Sequence, residues 1–143
     1  DEPMVTGKMI DNALKPMLSD KSINVINLTS PIKNKNELLD MNTIKVTYDK
    51  KMNAVYFSRS VIPFFKKFTK NFYFKQVCVI PFRRDFLFKY SSLKETKLEK
   101  AESIDMLRVL EHGLDVKMIP TYEDSQAVDT PSDLRLVEKL LAE

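Results

Sequence analysis

Apolar residues recur at helical spacing in two segments of this chain, one near each end. Near the start, four apolar residues share one predicted helix face: Ile10, Ala13, Leu14 and Met17. Near the end, a second apolar stripe follows a strong helix start and consists of Leu134, Val137 and Leu141. The pattern therefore predicts a helix in each of these segments.

Between them, short apolar runs bounded by turn residues predict strands at 23–28, 44–48, 54–57, 77–82 and 116–120. The turn at 49–53 separates two of these strands and predicts a hairpin. Helical patterns predict a short capped turn at 34–39 and a helix at 99–111, which Gly113 would end in a left-handed conformation. Strands that alternate with helices predict a mixed α/β fold.

Composition restricts the class of protein. With 143 residues the chain is one domain or part of one, and no apolar run is long enough to cross a bilayer. The opening residues have no signal-peptide pattern, so we expect a soluble, cytoplasmic protein without membrane insertion. Cys78 is the only cysteine and lies in an apolar run, which predicts a buried structural thiol.

The stretch from 64 to 75 combines lysines with aromatic residues, a mixture that single-strand nucleic-acid binders use. Phe64, Phe65, Phe68 and Phe72 recur there at helical spacing, which favours a core or subunit contact instead. The net charge of +3 is small and comes from interspersed lysines and acids. We therefore expect no nucleic-acid partner.

Glycine and histidine are scarce, which excludes several kinds of site. Gly7 and Gly113 are the only glycines and neither belongs to a phosphate-binding loop, so the chain has no phosphate cradle of its own. His112 is the only histidine, so a His pair is excluded, and its position favours an interaction with a helix dipole. The sequence also begins without an initiating Met, and we expect a fragment or the second half of a longer protein.

An acidic turn precedes the last predicted helix. Thr130 suits the N-cap, Pro131 the first helical position and Asp133 the reciprocal capping position, so Asp129 is held on a rigid turn. Such a carboxylate either interacts locally with the turn and the helix dipole or binds a metal ion. A second acidic turn lies at 1–3, and acids of separate α/β units can converge at the carboxyl edge of a sheet.

Seven short sequence words occur in one order along the chain. They are D-E-P at 1–3, N-T-I-K-V at 42–46, A-V-Y-F-S-R-S-V-I-P at 54–63, F-R-R-D-F-L at 82–87, L-E-K-A-E at 98–102, L-R-V-L-E-H-G at 107–113 and V-D-T-P at 128–131. Together they closely resemble the C-terminal part of the CMP-KDO synthetase family, the 3-deoxy-manno-octulosonate cytidylyltransferases. The resemblance covers essentially the whole chain.

The resemblance implies a Rossmann-like mixed sheet of the nucleotide-diphospho-sugar transferase type, with the N-terminal nucleotide-binding half absent from residues 1–143. It implies a homodimeric enzyme of lipopolysaccharide biosynthesis that couples CMP from CTP to a 2-keto-3-deoxy sugar acid and releases pyrophosphate. The region at about 54–90 would bind the sugar acid and form the dimer. Without the missing half, we expect this chain alone not to turn over CTP.

The resemblance also implies roles for individual residues. Asp1 and Asp129 match acids that bind Mg²⁺, a cation that prefers hard oxygen ligands. Arg59 matches an arginine that holds the substrate carboxylate, so these three residues form the implied catalytic set. Substrate-binding roles are implied for Arg59, Ser60, Gln76 and Glu102. Two alternatives stay open, namely an exposed surface position for Arg59 and an exposed pair with a lysine for Glu102.

The chain departs from the family at three positions where the family has polar groups for the sugar. Gln76 replaces a common His, while Ile80 and Met106 replace a Tyr and a Gln. Apolar side chains cannot replace hydrogen bonds to hydroxyl groups, so the acceptor could be another acid. The alternatives are therefore activation of a different nonulosonate or a phosphonate, or a non-catalytic dimerisation module derived from the family.

Overall fold

A computed structural model describes residues 2–123 and 125–142. Its strands are β1 (Ile26–Pro31), β2 (Lys45–Tyr48), β3 (Ala54–Ser58), β4 (Phe74–Val77) and β5 (Lys117–Pro120). Its helices are α1 (Gly7–Ser19), α2 (Lys35–Leu39), α3 (Arg84–Ser92), α4 (Lys97–Glu102), α5 (Met106–Glu111) and α6 (Pro131–Leu141).

The strands form one mixed sheet in the order β3-β2-β4-β1-β5. β1 and β5 are parallel, whereas β4 runs antiparallel to both of its neighbours and β2 pairs with β3 as the predicted hairpin. The Asp49 carboxylate closes that hairpin, because it accepts hydrogen bonds from the backbone N–H groups of Lys51 and Asn53 at 2.8 and 2.9 Å. The predicted mixed α/β fold is confirmed.

Helix α1 packs on β1, but with a different face from the predicted one. Met9, Ala13 and Met17 are buried against the sheet, whereas Ile10 and Leu14 are exposed. Two residues of the predicted stripe are therefore buried and two are exposed. Helical spacing alone cannot identify the buried face of α1, because the predicted and the observed sets of residues both have that spacing and only the packing on β1 decides between them. α1 begins after Thr6, whose hydroxyl accepts the Met9 N–H.

One prediction for the middle of the chain is wrong, because the fourth strand is 74–77 instead of 77–82. The aromatic stretch from 64 to 72, whose spacing favoured a core or subunit contact, forms turns and bends. Phe65 and Phe68 pack around Tyr73, in a small core that also contains Ile32 and Leu38. Aromatic residues with helical spacing can therefore surround a buried ring without forming a helix.

The predicted helix at 99–111 is broken into α4 and α5. Ser103 ends α4 with φ 53° and ψ 51°, a left-handed conformation that redirects the chain. Across the break, the Arg108 Nε–H donates to both carboxylate oxygens of Glu99, at 3.0 and 2.9 Å. Gly113 follows α5 with φ 69°, as predicted.

The last helix has the predicted start. Thr130 and Asp133 form a reciprocal capping box at the N-terminus of α6, and Pro131 is its first residue. Val137 is buried, whereas Leu134 and Leu141 of the predicted stripe are exposed. Among the described residues, no helix combines the length and the apolar composition needed to cross a bilayer.

Candidate functional site

A cleft of about 540 Å³ lies where several distant segments of the chain meet. It is lined by the loop between α2 and β2, by Arg59 after β3, by residues 75–78 on and after β4, and by the segment before α6. Glu2 of the N-terminal turn also lines it. The sheet order brings these segments together, because β4 lies between β2 and β1.

Asp129 lines the cleft on the turn that precedes α6. The Asp133 carboxylate accepts the backbone N–H groups of Asp129 and Thr130 at 3.3 and 2.8 Å, which fixes the turn. The Thr130 hydroxyl also donates to the Asp133 carboxylate. This bond is the largest cause, ahead of the two backbone bonds, that holds the pKa of Asp133 below its usual range. Asp129 itself is exposed, and its carboxylate accepts no hydrogen bond from the described residues. The capping role thus belongs to Asp133, and the Asp129 carboxylate is available to a ligand.

Asp1, the other predicted metal ligand, lies outside the described residues. Its neighbour Glu2 accepts the Cys78 N–H at 3.2 Å and the Ser125 hydroxyl. Glu2 therefore ties the N-terminal turn to the end of β4 and to the segment that carries Asp129. The D-E-P word contained this residue, but nothing in that word indicated that the Glu2 side chain would join three segments.

The resemblance of the sequence words implies a Mg²⁺ site, and Asp129 is the implied ligand within the described residues. Among the described residues, no group of three or more His, Cys, Asp or Glu side chains could hold a metal ion. Mg²⁺ usually binds one or two carboxylates, with phosphate oxygens and waters as its other ligands. The outward-facing carboxylate of Asp129 fits that mode of binding, and a closed protein cage is not needed.

Arg59 is half-buried and lines the cleft, so it is not an exposed surface arginine. Its Nε–H donates to the Glu102 carbonyl at 2.7 Å, Nη1 donates to the Met41 carbonyl at 3.1 Å, and Nη2 donates to the Ser103 carbonyl at 3.3 Å. These contacts use three of the five guanidinium N–H groups. Two N–H groups remain for a ligand, and the guanidinium plane is fixed before the ligand binds.

Glu102 lies behind the end of β3 and does not form the exposed lysine pair considered from the sequence. Its carboxylate accepts the Ser58 hydroxyl and the Arg59 backbone N–H, both at 2.8 Å, and it does not line the cleft. No lysine pairs with it among the described residues. Burial, together with the nearby Glu102 charge, raises the pKa of the Tyr56 hydroxyl. Glu102 therefore fixes the end of β3 from behind and positions Arg59.

Lys45 was not expected in the interior, because the predicted strand at 44–48 gave no sign of a buried cation. It is 0% exposed, and its Nζ donates to the Asp40 and Thr43 carbonyls, both at 2.7 Å. Burial lowers the pKa of Lys45. Lys45 and Arg59 together bind three carbonyls of the loop between α2 and β2, which forms one edge of the cleft.

The β4 strand supplies a polar wall. Gln76 lines the cleft, and its Nε2 donates to Oδ1 of the buried Asn27 at 2.5 Å. Beside it, Lys75 pairs with Glu37 at 2.7 Å, with both side chains mostly buried. The sequence pointed to Gln76 but not to the Lys75–Glu37 pair or to Asn27, because α2 and β1 reach β4 only through the sheet topology.

Four other residues lie in places that differ from the expectation. Ser60 is exposed after β3 and does not line the cleft. Cys78 is exposed at the cleft, so the prediction of a buried thiol was wrong: it directly follows β4, which ends at Val77. Met106 is buried in the main core and Ile80 packs against that core, and neither lines the cleft.

Comparison with known proteins identifies the family of the chain. The family model described as "Cytidylyltransferase" matches residues 1–119. The 3-deoxy-manno-octulosonate cytidylyltransferase of Geobacter metallireducens is 39% identical over 98% of this chain and 60% of its own length. That of Fusobacterium nucleatum is 36% identical over 100% of this chain and 58% of its own length.

A solved structure gives the same result. The structure of CMP:2-keto-3-deoxy-manno-octonic acid synthetase complexed with CTP superimposes with a TM-score of 0.87 and 33% identity. The match covers 99% of this chain and 58% of that one, so the chain spans under two thirds of the proteins it resembles. The chain therefore belongs to the cytidylyltransferase family, and within it the similarity is to the C-terminal part of the CMP-KDO synthetases.

Proposed function

We propose that the protein containing this chain transfers CMP from CTP to the anomeric hydroxyl of KDO, a 2-keto-3-deoxy sugar acid. The observation that carries the proposal is that one cleft contains two chemically different groups of residues. Asp129 and Glu2 give it an acidic part, whereas Arg59 gives it a cationic part. A nucleotide with a divalent cation suits the first part, and the carboxylate of an acid substrate suits the second.

Arg59 would bind the substrate carboxylate through its two remaining N–H groups. Its other three N–H groups are held by backbone carbonyls, so the guanidinium loses little freedom when the acid binds. Glu102 and Lys45 support this geometry from outside the cleft. Gln76 lines the same cleft from β4 and would bind a hydroxyl group of the sugar.

Asp129 would hold Mg²⁺, and we propose Asp1 as the second ligand. When bound, Mg²⁺ neutralises charge on the phosphate oxygens of CTP during the transfer. In the reaction the anomeric oxygen forms a bond to the α-phosphorus, the bond from that phosphorus to the bridging oxygen breaks, and pyrophosphate leaves. The hydroxyl proton is released to solvent. The contribution of this chain is to orient the acid and to hold its end of the nucleotide site.

The test is pyrophosphate release by the full-length gene product with CTP, KDO and Mg²⁺. We expect turnover with KDO, and we expect Asp129→Asn to lower kcat by about 100-fold, because a charge that stabilises the transition state is removed. Asp11→Asn, which changes an exposed acid of α1, is the matched control. Preference for another nonulosonate or a phosphonate over KDO would contradict the proposed acceptor. Unchanged turnover in Asp129→Asn would contradict the metal role.

We also propose that the protein is a homodimer that acts in the cytoplasm, where CTP is available, and supplies lipopolysaccharide biosynthesis. Large exposed apolar side chains in the region 54–90 support a second copy as the partner; they are Val55, Phe64, Phe72, Leu87 and Phe88. Phe64 is 85% exposed. Sedimentation of the full-length protein should give a dimer that Phe64→Ser weakens, and a monomeric wild type would contradict this proposal.

A further inference from the structure

Asn27 is a fully buried amide in the middle of the sheet, where an apolar residue would be expected. It is 0% exposed on β1. Its Nδ2 donates to the backbone carbonyls of Leu28 and Val77, both at 2.8 Å. Its Oδ1 accepts the side-chain Nε2 of Gln76. Every polar atom of the Asn27 side chain therefore has a partner.

The two carbonyl contacts fix the direction of the Asn27 amide. If the amide were turned over, its oxygen would face two carbonyl oxygens, and repulsion would replace two hydrogen bonds. Asn27 therefore presents its oxygen to Gln76, and only the NH₂ group of Gln76 can meet that oxygen. The direction of the Asn27 amide thus determines the direction of the Gln76 amide.

The consequence is that the carbonyl oxygen of Gln76 points away from Asn27. No described residue donates a hydrogen bond to Gln76 Oε1, and this oxygen is not among the buried atoms without a partner in the described part of the chain. Gln76 lines the cleft. Its Oε1 is therefore an acceptor that the cleft offers to a ligand.

The backbone of Gln76 is fixed as well. The Gln76 N–H donates to the Ile44 carbonyl at 2.8 Å. Next to Gln76, the Val77 carbonyl accepts the Asn27 amide at 2.8 Å. The position and the direction of the Gln76 amide are thus both set by groups behind the cleft.

We propose that Asn27 is a positioning residue that sets the direction of the Gln76 amide, so that the cleft presents an acceptor oxygen to a hydroxyl group of the acid substrate. The inference rests on the proposed function, and it names a determinant of specificity within that site. A hydroxyl can donate to Gln76 Oε1, whereas an ether or carbonyl oxygen at the same place cannot and would be repelled.

The first test is a double-mutant cycle in the full-length protein with CTP, KDO and Mg²⁺. Asn27→Leu removes the polar atoms at similar volume, and Gln76→Leu removes the acceptor. We expect each variant to raise the KM for KDO by about three- to tenfold, the effect of one hydrogen bond, with the KM for CTP within about twofold of wild type. The double variant should be no worse than the single ones, because both remove the same contact.

Thr29→Val is the matched control, because it removes a buried hydrogen bond to the neighbouring carbonyl of β4 without touching the Gln76 amide. Its KM for KDO should stay within about twofold of wild type. A normal KM in Gln76→Leu would overturn the proposal. Additive effects of Asn27→Leu and Gln76→Leu would also overturn it, because a purely structural Asn27 would act independently of Gln76.

The second test requires no change at Asn27, which keeps the proposal testable if Asn27→Leu does not fold. Hydrogen exchange of the Gln76 side-chain NH₂, assigned by its loss in Gln76→Leu, should be slower than that of the exposed Asn36. Equal exchange rates would show that Asn27 does not hold the Gln76 amide and would overturn the proposal. A wild type inactive with KDO would overturn the proposed function, while slow exchange would still support the fixed amide direction.

Discussion

Lys45 shapes the cleft without reaching it. Its ammonium group is fully buried, and its hydrogen bonds to the Asp40 and Thr43 carbonyls hold the loop that forms one edge of the cleft. Arg59 binds the Met41 carbonyl of the same loop. Two cations thus take the place of the regular backbone pairing that this loop lacks.

Lys45→Met should therefore loosen the loop. The apolar stem is retained, but the two loop carbonyls lose their buried donor, and we expect the free energy of unfolding to fall by about 1–3 kcal/mol. Amide hydrogen exchange at 40–44 should become faster. Lys50→Met, which changes an exposed lysine of the hairpin turn, is the control and should alter neither quantity. Unchanged exchange in Lys45→Met would show that the lysine does not hold the loop.

At the scale of residues, the sequence predicted the parts of the site that depend on local structure. The turn of Asp129 was predictable because its capping residues are its neighbours, and the structure confirms them. The roles of Lys45, Glu102 and Asn27 were not predictable, because their partners are mostly backbone groups of segments that only the tertiary fold brings close. A sequence specifies side-chain types, but it does not show which backbone carbonyls those side chains will contact.

At the scale of elements, the break between α4 and α5 places the Ser103 carbonyl beside Arg59. The sequence predicted one helix at 99–111, because its apolar pattern continues and neither Gly nor Pro marks the break. Ser103 instead adopts a left-handed conformation that non-glycine residues rarely adopt. Likewise, the aromatic residues at 64–72 have helical spacing but lie in a loop, where the rings of Phe65 and Phe68 contact the ring of Tyr73.

Ser103→Gly and Gly113→Ala test the cost of these left-handed residues in opposite directions. Ser103→Gly should raise the free energy of unfolding by up to about 1 kcal/mol, because glycine adopts positive φ without strain. Gly113→Ala should lower it by about 1 kcal/mol. A Cβ at 113 would meet no atom within 4 Å, so only the backbone conformation is tested there. Denaturant unfolding measures both, and equal stability of all three proteins would contradict the account.

The Glu99–Arg108 pair across the break predicts a pH dependence. The Arg108 hydrogen bonds hold the pKa of Glu99 below its usual 4.5, so the stabilisation is complete above about pH 4.5 and is lost as the pH falls through the lowered pKa. Glu99→Gln should lower the free energy of unfolding by about 2 kcal/mol at pH 7. The difference in free energy of unfolding between wild type and Glu99→Gln should become smaller below pH 4.5.

The control for that prediction is Glu95→Gln. Glu95 pairs with Lys100 in solvent, with both side chains more than 60% exposed, and such a pair contributes less than about 1 kcal/mol. Urea midpoints at pH 7 and pH 3 provide the comparison. A difference between wild type and Glu99→Gln that is the same at both pH values would contradict the role of the Glu99 charge.

At the scale of the whole molecule, the chain supplies one side of the proposed nucleotide site. Its cleft contains Arg59, the proposed partner of the acid substrate, and Asp129, the proposed metal ligand, but its two glycines form no phosphate loop. The fold class and the family were predictable from the sequence, because they depend on the alternation of elements and on collinear words. The cleft itself was not, because it requires the order of strands in the sheet.

The isolated chain should therefore not turn over CTP. We expect no pyrophosphate release above background with CTP, KDO and Mg²⁺, because neither glycine of the chain belongs to a phosphate-binding loop. The full-length gene product under the same conditions is the positive control. Substantial release by the isolated chain would show that the nucleotide site is complete without the additional sequence.

The hydrogen bonds of the Glu2 carboxylate to Cys78 and Ser125 have a consequence for the order in which the chain folds. This carboxylate joins residue 2 to residues 76 and 123 positions away, whereas the β2–β3 hairpin pairs close neighbours. Because long loops are costly to close, we infer that the hairpin forms early and that the Glu2 contacts form after the folding transition state. Glu2→Gln should then accelerate unfolding and leave the refolding rate unchanged, and slower refolding in stopped-flow experiments would contradict this order.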